Sequence, residues 1–363
     1  MSVYKEGKSW KVQAYYEDWQ GKKRRKQKRG FKTKGEAKVW ERDFLQKQRR
    51  SVDINFENFV EIYFEDMEHR LRENTMITKR YIMELKVTPY FKEKMLSDIS
   101  TADIRAWQNL LLKEGYADTY LKTIHCQLAA LFNYAVRYYD LKDNPCKKAG
   151  CIGKSKSGEM EFWTQEEFEQ FLSAVEDKLQ ARIGFLLLFW TGMRIGELLA
   201  LTYNDIDMKK KTISITKSYQ RLKGKDVITE PKTPKSKRVI SMPDFLVEEL
   251  KEYTSHLYGI GKKDRMFPFT KSYMEHCIIK GIQDSGVKRI RLHDLRHSHA
   301  SMLIHMGVTP LEIADRLGHE KVETTLNTYS HLYPSTQSKL ASLLDTQYEE
   351  NRTEEDDEDY MEG

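Results

Sequence analysis

The sequence predicts a mainly helical α+β protein: a three-stranded N-terminal sheet with one helix, a helical middle, and a mixed, mostly helical last half. Two kinds of spacing carry this reading. Apolar residues recur at the helical period through the middle and last parts, and short runs of β-branched and aromatic residues occur near the start and twice in the last half. The 363 residues are too many for one ordinary core, which predicts two or three domains, and 39% hydrophobic residues suffice to fill their interiors.

The first unit spans residues 1–50. Ser9-Trp10-Lys11-Val12-Gln13-Ala14-Tyr15-Tyr16 is rich in strand formers, Asp18-Trp19-Gln20-Gly21 reads as a turn, and Lys22 to Phe31 reads as a further strand. Thr33-Lys34-Gly35-Glu36 then opens a helix, with Thr33 as N-cap and Glu36 three residues later. The second of these strands carries Lys22, Lys23, Arg24, Arg25, Lys26, Lys28 and Arg29. Basic strands can lie in a DNA groove. A solvated charged hairpin would look the same in sequence, and of the two we expect DNA binding.

Residues 53–146 read as all helix. Phe56, Phe59, Val60, Tyr63, Phe64 and Met67 follow the helical period, as do Leu121, Ile124, Leu128, Leu131, Phe132 and Ala135. Both stripes are expected in a core. Asn144-Pro145 is expected to end the region, because a residue before proline leaves the helical basin. Residues 147–160 turn to Gly, Ser and Lys, a linker composition. The last unit, 161–348, opens on the capping-box pattern Thr164-Gln165-Glu166-Glu167. The run Ile183 to Trp190 reads as one buried helix, and strands are expected at Thr212–Thr216 and Arg238–Ser241.

Charge narrows the partner. The net charge of +6 includes an acidic tail, 349–363, in which Glu349, Glu350, Glu354, Glu355, Asp356, Asp357, Glu358, Asp359 and Glu362 face one Arg352. The body is therefore strongly basic, which suits a polyanion such as nucleic acid and also an ordinary soluble protein of high pI. The tail is expected to be disordered. Cys126, Cys146, Cys151 and Cys277 form no C-x-x-C pair, and no second ligand pair accompanies Cys146 and Cys151 at a zinc-like spacing. With no signal-peptide pattern and no apolar run of membrane-spanning length, the expectation is a cytoplasmic protein with reduced thiols and no membrane contact.

Cleaving a phosphodiester without a metal makes specific demands. Fixed cations must match the charge on the non-bridging oxygens, the leaving oxygen needs a proton, and the nucleophile must lie in line. Arginine suits such a site because its planar fork makes two parallel hydrogen bonds. In Thr191-Gly192-Met193-Arg194-Ile195-Gly196-Glu197, Arg194 and Glu197 share a helical face, where they could simply pair. In Leu292-His293-Asp294-Leu295-Arg296-His297, His293 and Arg296 also lie three apart. Leu317-Gly318-His319 is followed, ten residues after the histidine, by Tyr329, one of 20 tyrosines. Each motif alone could be a surface pair or packing.

Taken in order, these motifs resemble those of the tyrosine recombinases, or phage integrases. The resemblance covers Thr164 to Leu344, and the two earlier units resemble that family's arm-binding and core-binding domains in organisation. It implies a site-specific DNA recombinase that cuts and rejoins DNA through a 3′-phosphotyrosyl intermediate, integrating or excising a mobile element. Arg194 and Arg296 would hold the scissile phosphate. His293 would hydrogen-bond it and assist proton transfer at Tyr329, His319 would donate a further hydrogen bond, and Tyr329 would attack. Glu197 would orient Arg194 or brace the helix rather than act on DNA. The family's pattern of lysine, threonine, serine and arginine before an apolar strand fits Lys232-Thr233, Ser236 and Arg238, which makes Lys232 the acid for the leaving oxygen, with Lys235 and Lys237 as alternatives. His297, His299 and His331 would be supporting residues.

No cofactor is expected, since the motifs gather no carboxylates for Mg²⁺ and no G-x-x-x-x-G-K-[ST] loop for ATP. The implied partners are double-stranded DNA at core and arm sites, and sibling subunits in a homotetramer. The apolar stripe Leu332, Leu340, Leu343, Leu344 would dock on a neighbour or on its own domain. An excisionase or a DNA-bending factor is a further partner that such a reaction admits. The alternatives are a type IB topoisomerase and a non-catalytic DNA-binding regulator on the same scaffold.

Overall fold

A computed structural model describes residues 3–7, 9–17, 23–48, 54–155, 160–231, 233–259, 261–333, 341–342 and 344–348. Its class is the predicted one, helices with small antiparallel sheets. The chain divides into two compact units, 1–158 and 159–363.

The first unit begins with an antiparallel sheet in the order β1 (Val3–Glu6), β2 (Ser9–Glu17), β3 (Lys23–Phe31). Helix α1 (Lys34–Gln48) covers one face, burying Ala37 against Val3, Val12 and Ala14. Thr33 caps it as expected, its Oγ1 accepting from Glu36 N at 3.1 Å, while the Glu36 carboxylate accepts from Lys32 N rather than from Thr33. β3 is an edge strand whose side chains from Lys23 to Gly30 are exposed, so Lys23, Arg24, Arg25, Lys26, Lys28 and Arg29 lie at the surface. Lys22 and the turn at 18–21 lie outside the described residues, as does the acidic tail from 349.

The same unit continues as helices α2 (Phe56–Met67), α3 (Glu73–Ile82), α4 (Thr88–Phe91), α5 (Thr101–Lys113), α6 (Asp118–Tyr138) and α7 (Pro145–Ala149), with a π-turn at Met83–Val87 between α3 and α4. The predicted stripes on α2 and α6 meet in one core that also holds Trp107 and Phe91. The helical region runs past the expected end at Asn144-Pro145. Asn144 leaves the helical basin, but its Oδ1 accepts from Cys146 N at 2.8 Å and Pro145 occupies the first turn, where its missing N–H costs nothing. Cys146 and Ala149 join the core. Beyond them, Gly153 lies so close to Asp118 O that a Cβ would sit 2.0 Å away, which packs this Gly-rich stretch on the start of α6.

The second unit contains α8 (Gln165–Ser173), α9 (Leu179–Thr191), α10 (Ile195–Leu198), β4 (Ile206–Asp207), β5 (Thr212–Ile215), β6 (Ser218–Leu222), β7 (Lys225–Thr229), β8 (Arg238–Ser241), α11 (Asp244–Ser255), α12 (Lys271–Ser285), α13 (Asp294–His305), α14 (Pro310–Leu317) and α15 (Val322–Tyr329). Thr164 caps α8 in the predicted reciprocal box with Glu167. From Ile183 to Phe189 α9 is buried on every side, which accounts for the apolar run there. The expected strands β5 and β8 pair antiparallel, with β4 on the far edge of β5, and β6 and β7 form a separate hairpin. Two glycines in left-handed conformation end the helices that matter most below: Gly192 after α9 (φ 66°) and Gly318 after α14 (φ 69°).

Candidate functional site

The second unit brings Arg194, Glu197, His293, Arg296, His319 and Tyr329 into one cluster built from helix ends. Arg194 is the N-cap of α10, directly after the α9 stop at Gly192. His293 caps α13 and Arg296 lies in its first turn. His319 follows the Gly318 stop of α14, and Tyr329 is the last residue of α15. Lys232 lies outside the described residues. Of its alternatives, Lys235 is exposed and Lys237 pairs with Glu230 at 3.0 Å.

Arg296 is 3% exposed. Its Nη1 donates to Gly192 O and its Nη2 to Leu317 O, both at 2.7 Å. The carbonyls at the ends of α9 and α14 thus hold the guanidinium flat between two helices. Among the described residues Arg296 forms no ion pair. Burial, and then the charge of Arg194, push its pKa down to about 9, so it stays cationic at neutral pH. A buried cation without a counter-anion is costly, and a bound anion would relieve that cost.

Arg194 is more open, with its side chain 38% exposed. Glu197 is buried and aims it: Glu197 Oε1 accepts from Arg194 Nη1 and Oε2 from Arg194 N, each at 2.9 Å. The same carboxylate binds Arg238, whose Nε also reaches Arg316 O at 2.8 Å. Burial alone would raise the Glu197 pKa, but the pairs with Arg238 and Arg194 outweigh it and hold the group below the ordinary glutamate value. The expected pairing of Arg194 with Glu197 is therefore present, and the structure adds Arg238 to it.

The histidines are held neutral. Desolvation, then the charges of Arg296 and Arg194, bring His319 down to about 4. Its Nδ1 lies 2.8 Å from Thr325 Oγ1, which leaves Nε2 for a ligand. His293 is exposed and lowered by desolvation and by Arg296. His297 is brought down to about 4 by desolvation and by His293.

Tyr329 is 1% exposed. Burial raises its phenol to about 12, against the lowering influence of Arg296. Its Oη lies 2.8 Å from Nδ1 of His297, not from His293. His293 packs its ring edge to face on that of His297, with 5.3 Å between centroids. With His297 in its Nε2–H tautomer, the phenol donates and Nδ1 accepts. The sequence offered a clue to His297, which adjoins Arg296, but the spacing alone gave it no role. His299 is buried and accepts from Arg316 Nε at 2.9 Å, and His331 is exposed. Of the C-terminal apolar stripe, Leu332 packs beside Tyr329, Leu344 is exposed, and Leu340 and Leu343 lie outside the described residues.

Among the described residues, no three or more His, Cys, Asp or Glu side chains converge as metal ligands, and no helix is long and apolar enough to cross a membrane.

Known proteins resemble this chain over most of its length. Residues 161–336 match the phage integrase family, 55–112 the N-terminal SAM-like domain of phage integrases, and 2–48 an arm DNA-binding domain. The ICEBs1 integrase of Bacillus subtilis is 33% identical over 325 residues, covering 85% of this chain and 88% of its own length. The chain belongs to the phage integrase family of tyrosine recombinases. Its activity is that of a site-specific DNA recombinase. A XerC-like tyrosine recombinase of Caldanaerobacter subterraneus is 26% identical, over 90% of this chain and 93% of that protein. Among solved structures, the Tn1549 transposon integrase in complex with circular intermediate DNA superposes with a TM-score of 0.67 at 19% identity, covering 80% of this chain and 99% of that one. The lambda integrase tetramer bound to a Holliday junction gives 0.58 at 16% identity, covering 88% and 96%. These two likenesses concern the fold.

Proposed function

We propose that this recombinase cleaves DNA by attack of Tyr329 Oη on a phosphodiester held by Arg194, Arg296, His293 and His319, leaving a 3′-phosphotyrosyl bond and a free 5′-hydroxyl. The observation that carries this reading is Arg296: a buried guanidinium fixed by two helix-end carbonyls, with no ion pair among the described residues, beside a buried tyrosine hydroxyl. The anion that such a cation awaits is the scissile phosphate. As the Oη–P bond forms, Oη gives up its proton, a transfer for which His293 is the proposed aid, while the P–O5′ bond breaks and the 5′-oxygen takes a proton, for which Lys232 is the proposed acid. Attack by a 5′-hydroxyl from another strand reverses the step and rejoins DNA. Phosphate ester energy is conserved throughout.

Residues 1–50 would bind arm-type DNA through β3, 53–146 core-type DNA, and 161–348 would carry the chemistry, with 147–160 as linker. The exposed cations of β3 and the arm-domain match over 2–48 support the first assignment. The integrase of an integrative element among the relatives supports integration and excision of a mobile element as the biological outcome, and a lambda integrase tetramer among the structural neighbours supports a homotetramer on DNA. An excisionase or DNA-bending factor would then set direction.

The deciding experiment uses a nicked suicide substrate bearing the attachment site of the element. Wild type should form a covalent adduct that survives denaturation, and Tyr329→Phe should form none while still binding the DNA. A wild-type protein that binds this site and yields no adduct sinks the reading.

A further inference from the structure

Resting on the reading of Tyr329 as nucleophile, we propose that His297 is a positioning residue for it: Nδ1 of His297 receives the phenolic proton in a hydrogen bond and so fixes the direction of Oη. The recombinase motifs set out above assign this residue no step.

Three observations carry the inference. Tyr329 closes α15 and is followed at once by a 3₁₀ turn, Ser330–Leu332, so the backbone around it makes a change of direction rather than a continuous rod. Orientation of the ring must then come from side-chain contacts. The ring lies in a small apolar cluster with Ala300, Ile304, Ile313 and Leu317, none of which can bond its hydroxyl. Second, His297 supplies that bond at 2.8 Å and packs its ring against the tyrosine at 5.7 Å between centroids. Distance and ring packing together limit the phenol to one direction. Third, His297 sits four residues after His293 on α13, so both rings leave the same helix face, and they meet edge to face. His293, Arg296 and His297 therefore share one rigid helix. A phosphate that docks on His293 and Arg296 is registered against the same element that aims the nucleophile.

Aiming is worth much here. A reacting pair held at the attack distance gains a large share of its rate from orientation alone, and about 1 Å of misplacement can cost on the order of 100-fold. His297 is suited to this because burial, together with His293 and Arg296, keeps it unprotonated at neutral pH, and its Nε2–H tautomer leaves Nδ1 as the acceptor. Asp294, on the same turn, acts in the opposite direction but is occupied by Arg291.

The test compares His297→Asn with His297→Gln by single-turnover cleavage of the nicked substrate at saturating protein, alongside melting temperature and DNA affinity. An asparagine oxygen falls near the place of Nδ1; a glutamine oxygen falls one carbon further, near Nε2. His297→Asn should cleave within about threefold of wild type and His297→Gln at least tenfold slower, with equal affinity. His297→Phe, which keeps a ring and lacks an acceptor, should resemble the glutamine variant. Equal rates for the two amides would overturn the proposal. So would any variant faster than wild type, since His297 would then restrain Tyr329 rather than aim it. If one amide fails to fold, the melting temperature reveals it, and the folded amide is judged against wild type by the same limits. Wild type without adduct would instead sink the nucleophile reading itself.

Discussion

Arg238 grips both oxygens of the buried Glu197 carboxylate, Nη1 to Oε1 at 3.2 Å and Nη2 to Oε2 at 2.9 Å. The two side chains are 6% and 4% exposed, so the pair is as dry as the core around it. Arg194 shares the same carboxylate from the solvent side. The candidate phosphate clamp is thus anchored through one glutamate to β8. Arg238 in turn fixes the end of α14 through Arg316 O.

Glu197→Ala should therefore cost stability and cleavage together. Removing one partner of a buried pair strands the other charge, at about 3–5 kcal/mol. Arg238 would be the stranded group, and Arg194 would lose its aim. Urea unfolding of the variant should show a loss near that range, and single-turnover cleavage should fall more than tenfold. A variant within about 1 kcal/mol of wild type would show that solvent or another group replaces Glu197.

Gly192→Ala tests the turn that joins α9 to Arg194. Gly192 has φ 66°, and an added Cβ would lie 2.6 Å from His299 Cδ2 and 2.7 Å from Leu317 Cδ2. Both neighbours are buried, so neither can swing away. The backbone conformation costs a residue with a Cβ about 1 kcal/mol, and the overlap adds about 1–3 kcal/mol. Gly286, which ends α12 at φ 73° with nothing near its missing Cβ, is the control and should lose only the first of these. Equal losses for Gly192→Ala and Gly286→Ala, measured by urea midpoint, would show that the space around Gly192 is not limiting. Cleavage should fall only in the first, because Gly192 O also holds Arg296.

How much of this was legible beforehand depends on sequence distance. The stripes on α2 and α6, the buried α9 and the Thr164 cap are local patterns, and they appear where the spacing put them. The motif residues also gather, and two of the helix ends that carry them, before Arg194 and before His319, are marked locally by Gly192 and Gly318. Long-range partners could not be read in the same way. The bond from His297 to Tyr329 spans 32 positions, and that from Arg238 to Glu197 spans 41. Neither partner reveals the other until α13 meets α15 and β8 meets α10. Pro145 misled for a different reason. A proline both ends one helix and begins the next, and the Asn144 side chain, which caps α7, decides which.

Acid should destabilise the second unit well above the carboxylate range. His297 and His319 are held at about 4 and His299 at about 3, in each case chiefly by burial. In the unfolded chain these rings titrate near their usual value, about 6.5. Above that pH neither state is protonated and the fold has its full stability. Below it the unfolded chain binds protons that the folded one refuses, so stability is lost as pH falls from about 6.5 toward about 4. A fully buried ring such as His299 contributes up to about 1.4 kcal/mol per pH unit, and the part-exposed His297 and His319 less. Urea midpoints measured from pH 7.5 down to 5 should fall steadily. His299→Gln, whose amide oxygen can still accept from Arg316, should flatten the slope. A midpoint that does not move with pH would contradict the burial of these rings.

Arg296→Lys separates charge from geometry. The arginine spends Nη1 and Nη2 on carbonyls that belong to different helices, Gly192 O and Leu317 O, and both bonds are 2.7 Å long. A lysine keeps the positive charge but ends in a single ammonium, which cannot reach two acceptors while presenting a planar edge to phosphate. One helix-end carbonyl would be left without its donor, at about 1–3 kcal/mol. Cleavage should drop on the order of 100-fold or more, the usual loss when one preorganised donor is taken from a transition-state anion. DNA affinity should change far less, because most of it comes from phosphate contacts spread over the duplex. Anisotropy titrations at one fixed salt concentration and single-turnover cleavage on the nicked substrate make the comparison. If Arg296→Lys cleaved within tenfold of wild type, charge alone would suffice at this position, and the two carbonyl bonds would be a device of folding rather than of catalysis.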